Sequence, residues 1–352
     1  MSPSFGQRLA GRGDLILAVT IVAVVGMMLV PLPTLALDLL LTVNIATAVV
    51  LLLVGLYINS PLGLSTLPGL LLVTTLFRLG LNISSTRLIL LQADAGQVID
   101  AFGTFVVQGD YVVGAVVFLI ITLVQFLVIA RGSERVAEVS ARFTLDAMPG
   151  RQMAIDADLR AGALTLEQAR QQREELQLES RLYGALDGAM KFVKGDAIAG
   201  LLITAINIVG GLAIGVLQRG LPIDQAARTY TLLTIGDGLV SQIPALLIAT
   251  AAGLIVTRVG VGSSNLGSDA VGQILRHPRA LGITAAFLAL LALVPGLPTV
   301  PFAILALLAA GLAWRAGDMG SEAEDGVALG VAAPMVQPLR LMGLFHTRIA
   351  EM

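Results

Sequence analysis

The sequence predicts an all-α polytopic membrane protein, with about eight transmembrane helices and a small α-rich cytoplasmic insert between helices four and five. Two features of composition point there: 56% of the 352 residues are hydrophobic and 13% are charged, where a soluble chain carries about 45–50% and about 25%. A third is patterning. Apolar residues come in runs of about 20, the length that crosses a hydrocarbon core roughly 30 Å thick. The runs lack the period-two alternation of a barrel, and backbone groups in lipid must be satisfied internally, so each run is expected to be a helix.

The expected spans are residues 14–33, 36–57, 68–91, 111–130, 197–218, 230–257, 280–296 and 299–315. The first follows a short polar lead ending at Arg12. No small-residue cleavage site follows it, so it reads as an uncleaved span and not a secretory signal. Lys and Arg are held in the cytoplasm during insertion, and their distribution is one-sided. With the N-terminus inside, Arg8, Arg12, ten basic residues from Arg131 to Lys194, and Arg258, Arg276, Arg279, Arg315, Arg340 and Arg348 fall on the cytoplasmic side. Arg219 and Arg228 fall outside, and Arg78 and Arg87 lie within the third span. Both termini are therefore expected in the cytoplasm. The resulting divisions are a first transmembrane half (1–130), the insert (131–195), a second half (196–315) and a tail (316–352) that looks like a linker. No internal repeat of 20–50 residues is visible.

The insert holds ten basic and ten acidic residues. Thr165-Leu-Glu-Gln168 has the form of a capping box, so a charged helix is expected from there to about Tyr183. Pro149-Gly150 is expected to stop the helix before it, because proline has no amide donor and glycine is free to turn. At 100° per residue, Arg135, Glu138, Arg142 and Asp146 fall within an arc of about 80°. They form either a candidate ion-pair relay or a solvated face with pairs such as Arg142–Asp146, each worth about 0.2–0.5 kcal/mol.

Some function classes are excluded by what the sequence lacks. There is no cysteine, so thiol catalysis and cysteine-ligated metals are out. The two histidines, His277 and His346, lie outside the apolar runs, and no cofactor is expected. No extended basic run is available to neutralise nucleic-acid phosphates.

A few polar residues inside the spans carry the functional expectations. Asp196 follows Lys194-Gly195 and is expected to open the fifth span, as a helix cap, as a partly desolvated proton-loading carboxylate, or as both. Asp237, in Gly236-Asp237-Gly238, lies within the sixth span, where a buried carboxylate lines a polar cavity or needs a partner. Arg78 and Arg87 fall on opposite faces of an unbroken third span. One could pair with Asp237 while the other snorkels, or the span could break near Gly80. Asn82 shares the polar face of Arg78. Asp38 reads as an interfacial cap of its own span. Gly211-xxx-Gly215 permits close helix contact, a common packing device from which no oligomer follows.

Four stretches in order, LFRLGLNISSTRLIL (76–90), RGSERVAEVSARFTLDAMPGRQMAIDAD (131–158), MKFVKGDAIAG (190–200) and YTLLTIGDGLVSQIP (230–244), resemble the export-gate family of type III secretion systems. These are the FlhA/SctV proteins, with the FHIPEP signature. The wording of the second and third stretches is closer to the injectisome branch than to the flagellar one. The resemblance implies eight spans in the bacterial inner membrane, a homononameric ring, other export-apparatus membrane proteins as partners, and export driven by the proton motive force. It links the position of Asp196 to proton coupling, and those of Arg135, Arg142 and Asp146 to the insert. Members continue into a large soluble domain that receives chaperones and secreted proteins. This chain stops at Met352, so a fragment able to assemble but not to receive substrates is expected. Two other classes compete. An ion-coupled small-molecule secondary transporter would also use Asp237, Arg78 and Asp196, but the two related halves usual in such folds are not visible. An intramembrane aspartyl hydrolase would need Gly-x-Gly-Asp, and Thr234 and Val193 stand where its first glycine belongs.

Overall fold

The computed structural model describes residues 13–58, 60–258, 277–294 and 297–330, with a few isolated positions between 267 and 275. The described chain is helical, and no strand occurs among these residues. By internal contacts the chain divides into Met1–Leu266 and Gly267–Met352.

The first unit contains α1 (Gly13–Leu29), α2 (Thr34–Tyr57), α3 (Leu67–Gln92), α4 (Gln97–Val107), α5 (Tyr111–Val124), α6 (Arg131–Arg160), α7 (Leu166–Ala213) and α8 (Ile223–Val256). A π-helical turn, Gln125–Ala130, joins α5 to α6 without a break, and another, Ile214–Gln218, extends α7. The second unit is a hairpin of α9 (Pro278–Ala292) and α10 (Thr299–Gly330). Ala285, Ala292 and Ala306 are buried there, where small side chains let helices approach closely.

Among the described residues, six helices are long and apolar enough to cross a membrane: α2, α3, α5 with α6, α7, α8 and Thr299–Ala316 of α10. The expected spans 14–33 and 280–296 become α1 and α9, of 17 and 15 residues. Proline sets both limits: Pro31 and Pro33 follow α1, and Pro295 follows α9, each removing a donor and disfavouring helix in the residue before it. α10 continues to Gly330, into the stretch read as a linker. Residues 331–352, with Arg340, His346 and Arg348, lie outside the described residues.

α3 and α8 form the centre of the first unit. Just over half of the apolar window of each is buried, against 28% for α2 and 11% for α7. The third span is therefore interior despite its two arginines. One buried cluster joins Leu51, Leu71, Leu186, Met190 and Ile255, and a second joins Val24, Leu41, Leu81, Ile99 and Tyr230.

α4 is not anticipated from sequence. Its eleven residues are too few to span, and its buried face is Ile99, Gly103 and Val107. Gly236 of α8 lets it dock, because a Cβ there would lie 2.0 Å from the Ile99 carbonyl oxygen. Asp38 caps this helix and not its own: Oδ2 accepts from Gln97 N and Oδ1 from Val98 N, both at 3.0 Å. Gly96 has φ +93°, and a Cβ there would meet Asp38 Oδ1 at 2.5 Å, so glycine is required twice over.

The insert is a helical hairpin continuous with the membrane helices. Thr165 caps α7 with the full reciprocal box. α7 does not end near Tyr183 but runs on to Ala213, with Gly188 and Gly195 carried inside the helix. Pro149 and Gly150 do not stop α6, which continues to Arg160. The carbonyl that Pro149 leaves without an amide belongs to Leu145, whose side chain is exposed, so water can serve it. Past the proline, α6 is held to α7 by ion pairs Arg151–Glu179, at 2.9 Å, and Arg173–Asp156, and by Ile155 packed with Ala169 and Leu176. Packing and pairing outweigh the lost hydrogen bond.

Candidate functional site: a buried ion pair and its polar cavity

α3 is unbroken through Gly80, so Arg78 and Arg87 point to opposite sides. A Cβ on Gly80 would meet Met27 Cε at 2.4 Å, which shows how closely α1 lies against that side. Arg87 donates to Leu29 O at 2.9 Å and Met28 O at 2.8 Å, and Ser84 Oγ donates to Met27 O at 2.9 Å. These are the carbonyls an isolated α1 would leave open at its C-terminus. Arg87 is thus a helix cap and does not snorkel.

Arg78, on the other face, pairs with Asp196 of α7 and not with Asp237. Nη2 meets Oδ2, and the side chains are 2% and 3% exposed. Asp196 does not cap a helix as expected. It lies deep within α7, where backbone amides are already committed, so its charge is met by the guanidinium. Lys194 is tied to Glu134 at the base of α6, Nζ to Oε2 2.9 Å. This contact fastens the two arms of the insert two residues from the buried pair.

The pair lines a polar cavity of about 30 Å³, whose wall includes Asn82 of α3, Thr122 and Gln125, Thr204 of α7, and Ser241 and Gln242 of α8. Asn82, one turn from Arg78, is on the polar face that sequence predicts. Asp237 is buried in a neighbouring cluster: Asn207 Nδ2 donates to its Oδ2 at 3.3 Å, and Ser85, whose hydroxyl donates to Asn82 O at 3.0 Å, lies beside it. Ser85 is seven residues beyond Arg78 on α3, about 10 Å along the axis. The two aspartates therefore face one helix at two depths. Gly236 and Gly238 flank Asp237 for steric reasons: one admits α4, and a Cβ on the other would lie 2.5 Å from the Phe118 ring.

The expected charged stripe of the insert forms only in part. Arg135 Nη1 pairs with Glu138 Oε2 at 2.7 Å and Arg142 Nη2 with Glu138 Oε1 at 3.3 Å, while Asp146 is exposed and not the partner of Arg142. Both arginines are about two-thirds exposed. Gly211 and Gly215 pack within the chain, against Tyr230. Sequence reasoning does not single out Ser85, Thr122, Gln125, Asn207 and Gln242. Their signal is nonetheless present, since a polar side chain within an apolar span needs a partner.

The FHIPEP family matches this chain over residues 24–331, which includes α3, the insert, α7 and α8. The chain belongs to the FHIPEP family. It is 59% identical over 285 residues to the low calcium response locus protein D of Yersinia pestis, covering 81% of this chain and 40% of that protein. It is 55% identical over 284 residues to the secretion system apparatus protein SsaV of Salmonella typhimurium, 80% of this chain and 42% of the relative. To the invasion protein InvA of Salmonella typhimurium it is 53% identical over 274 residues, 78% and 40% of the two chains. These FHIPEP relatives are of the injectisome kind. The chain spans about two fifths of their length, and no solved structure matches it significantly.

Proposed function

We propose that this chain is the membrane part of the export gate of an injectisome-type III secretion system, and that it couples the proton motive force to protein export. It resides in the bacterial inner membrane with both termini in the cytoplasm. It assembles as a homo-oligomeric ring, nonameric by analogy with the family, with other export-apparatus proteins. Secreted proteins and their chaperones are received by a soluble domain of the longer protein.

The observation that carries the coupling is the buried Arg78–Asp196 pair beside a polar cavity. Protonating Asp196 leaves Arg78 as an uncompensated charge in a buried site, a state that costs several kcal/mol. The two side chains then separate or draw in water, so the protonated and ionised forms favour different arrangements of α3 and α7. α7 carries that difference outwards. It is one helix from Leu166 through Asp196 to Ala213, about 70 Å long, and its cytoplasmic half is half of the insert. Asp237 serves as a second proton-accepting group deeper along α3. The Arg135–Glu138–Arg142 network and Asp146, displayed on the insert, form the face through which the movement reaches cytoplasmic components.

The test is secretion by cells carrying the full-length protein with Asp196→Asn. Export is abolished while the ring, measured by particle mass, still assembles; Asp196→Glu retains part of the activity. Unimpaired secretion by the Asn variant would remove the coupling mechanism and leave family membership untouched.

A further inference from the structure

The cavity wall contains groups that the ion pair does not use. Thr122 Oγ1 donates to Phe118 O at 2.8 Å, so its single hydrogen is spent and it can only accept from Gln242 at 2.8 Å. That assigns the amide nitrogen of Gln242 to the Thr122 side and commits Oε1 to the other direction. Gln125 Nε2 donates to the backbone carbonyl of Gln242 at 3.4 Å and steadies the same turn of α8. Among the described residues, four buried polar atoms of the cavity's own lining are without a protein partner: the acceptors Asp196 Oδ1 and Gln242 Oε1, and the donors Arg78 Nε and Nη1.

These two acceptors and two donors belong to residues that line one small space, and they define the ligand chemistry. A cation would face Arg78, an anion would face Asp196, and an apolar molecule would leave all four groups unmet. A water molecule donates twice and accepts twice. The cavity, about 30 Å³, exceeds the roughly 10–15 Å³ that one water requires.

We propose that this cavity is a water-binding site, in which water bridges Asp196 Oδ1 and Gln242 Oε1 beside the Arg78 guanidinium, and that Gln242 is the positioning residue that fixes it. The role of this water in transport rests on the coupling function proposed above, whereas its binding does not. A proton arriving from the aqueous phase as hydronium breaks one O–H bond of that ion and forms one at Asp196 Oδ1. The neutral water stays in place. Gln242 itself neither gains nor loses a proton; it holds the donor oxygen in line with the carboxylate.

The test uses the full-length assembled protein. Electron cryomicroscopy at a resolution that reveals ordered water is expected to place density within hydrogen-bonding distance of both Asp196 Oδ1 and Gln242 Oε1. It is expected to lose that density in Gln242→Leu. Secretion by Gln242→Leu is largely lost at neutral external pH and recovers as the external pH is lowered, since Arg78 and Asp196 are the ionisable groups lining the cavity and proton arrival becomes limiting. A merely structural defect would not recover with acid. If Gln242→Leu does not assemble, Thr122→Val, which frees the Gln242 amide with little change of shape, carries the same expectations. Absence of the density in the wild-type protein, or its persistence unchanged in the variant, overturns the proposal. Density present together with full secretion by Asp196→Asn would leave the water site standing and remove the coupling reading alone.

Discussion

Arg78 on α3 and Asp196 on α7 are paired inside the helical bundle, while Arg87, nine residues along the same helix, faces the opposite way and caps α1. Two arginines in one apolar span thus have separate partners. The first joins two helices through a charge that a proton can cancel, and the second joins two helices through carbonyls that no proton affects.

Removing one half of the buried pair should cost far more than removing both. Arg78→Leu alone leaves a buried carboxylate without its partner, and a loss of about 3–5 kcal/mol is expected. The double variant Arg78→Leu/Asp196→Leu removes both charges and should match or exceed the parent in stability. Thermal unfolding of the purified protein in detergent measures both. A double variant as unstable as the single one would show that the pair contributes more than mutual neutralisation.

Arg87→Ala is expected to loosen the end of α1 without disturbing the Arg78 site. Each lost charged hydrogen bond is worth about 1.5–3 kcal/mol, and two are lost. Hydrogen exchange should accelerate at the C-terminal turn of α1 and remain unchanged in α7. Arg87→Lys keeps the charge but not the two-point contact, so it should fall between. Equal protection of α1 in parent and Ala variant would refute the capping role.

Helices are legible in this sequence because lipid imposes one rule on every span; the partners of the charges are not. Length and hydropathy locate α2 and α3 closely, and the Thr165 box fixes the start of α7. The same local reasoning places a helix start at Asp196, since Gly195 and an aspartate resemble a boundary, and a helix stop at Pro149. Both residues lie inside helices because long-range contacts decide there: Arg78, 118 residues away, engages Asp196, and contacts with α7 keep α6 helical past its proline. α4 escapes notice because eleven residues with a glycine in the middle carry little signal. Its existence depends on Asp38 and Gly236, which are distant in sequence. Asp237 is recognisable as buried from its surroundings alone, whereas Asn207 can be assigned to it only once α7 and α8 are side by side.

Glu138→Gln separates stability from contact. Its two arginine partners are each about two-thirds exposed, and exposed pairs contribute about 0–1 kcal/mol. Unfolding temperature should therefore hardly move. If secretion nevertheless falls in the full-length protein, the network acts on a partner of the insert; a substantial fall in stability would instead show that the stripe is structural.

The lever formed by α7 makes the sharpest demand, and Gly195 is where it can be tested. This glycine is exposed inside the helix, and a methyl group added at its Cα would have nothing within 4 Å. Gly195→Ala should therefore be accommodated, raise stability by up to about 1 kcal/mol through helix propensity, and leave secretion intact. Gly195→Pro removes the amide that bonds back to Lys191 and sets a ring against that carbonyl, kinking the helix between the insert and Asp196. The helices on either side retain their own packing, through Leu186 and Met190 below and Asn207 above, so the ring should still assemble. Secretion should be lost because protonation at Asp196 no longer moves the insert as one body with it. Normal secretion by an assembled Gly195→Pro protein would mean that the insert takes its signal through α6, and the continuous helix would then be architecture without a part in coupling.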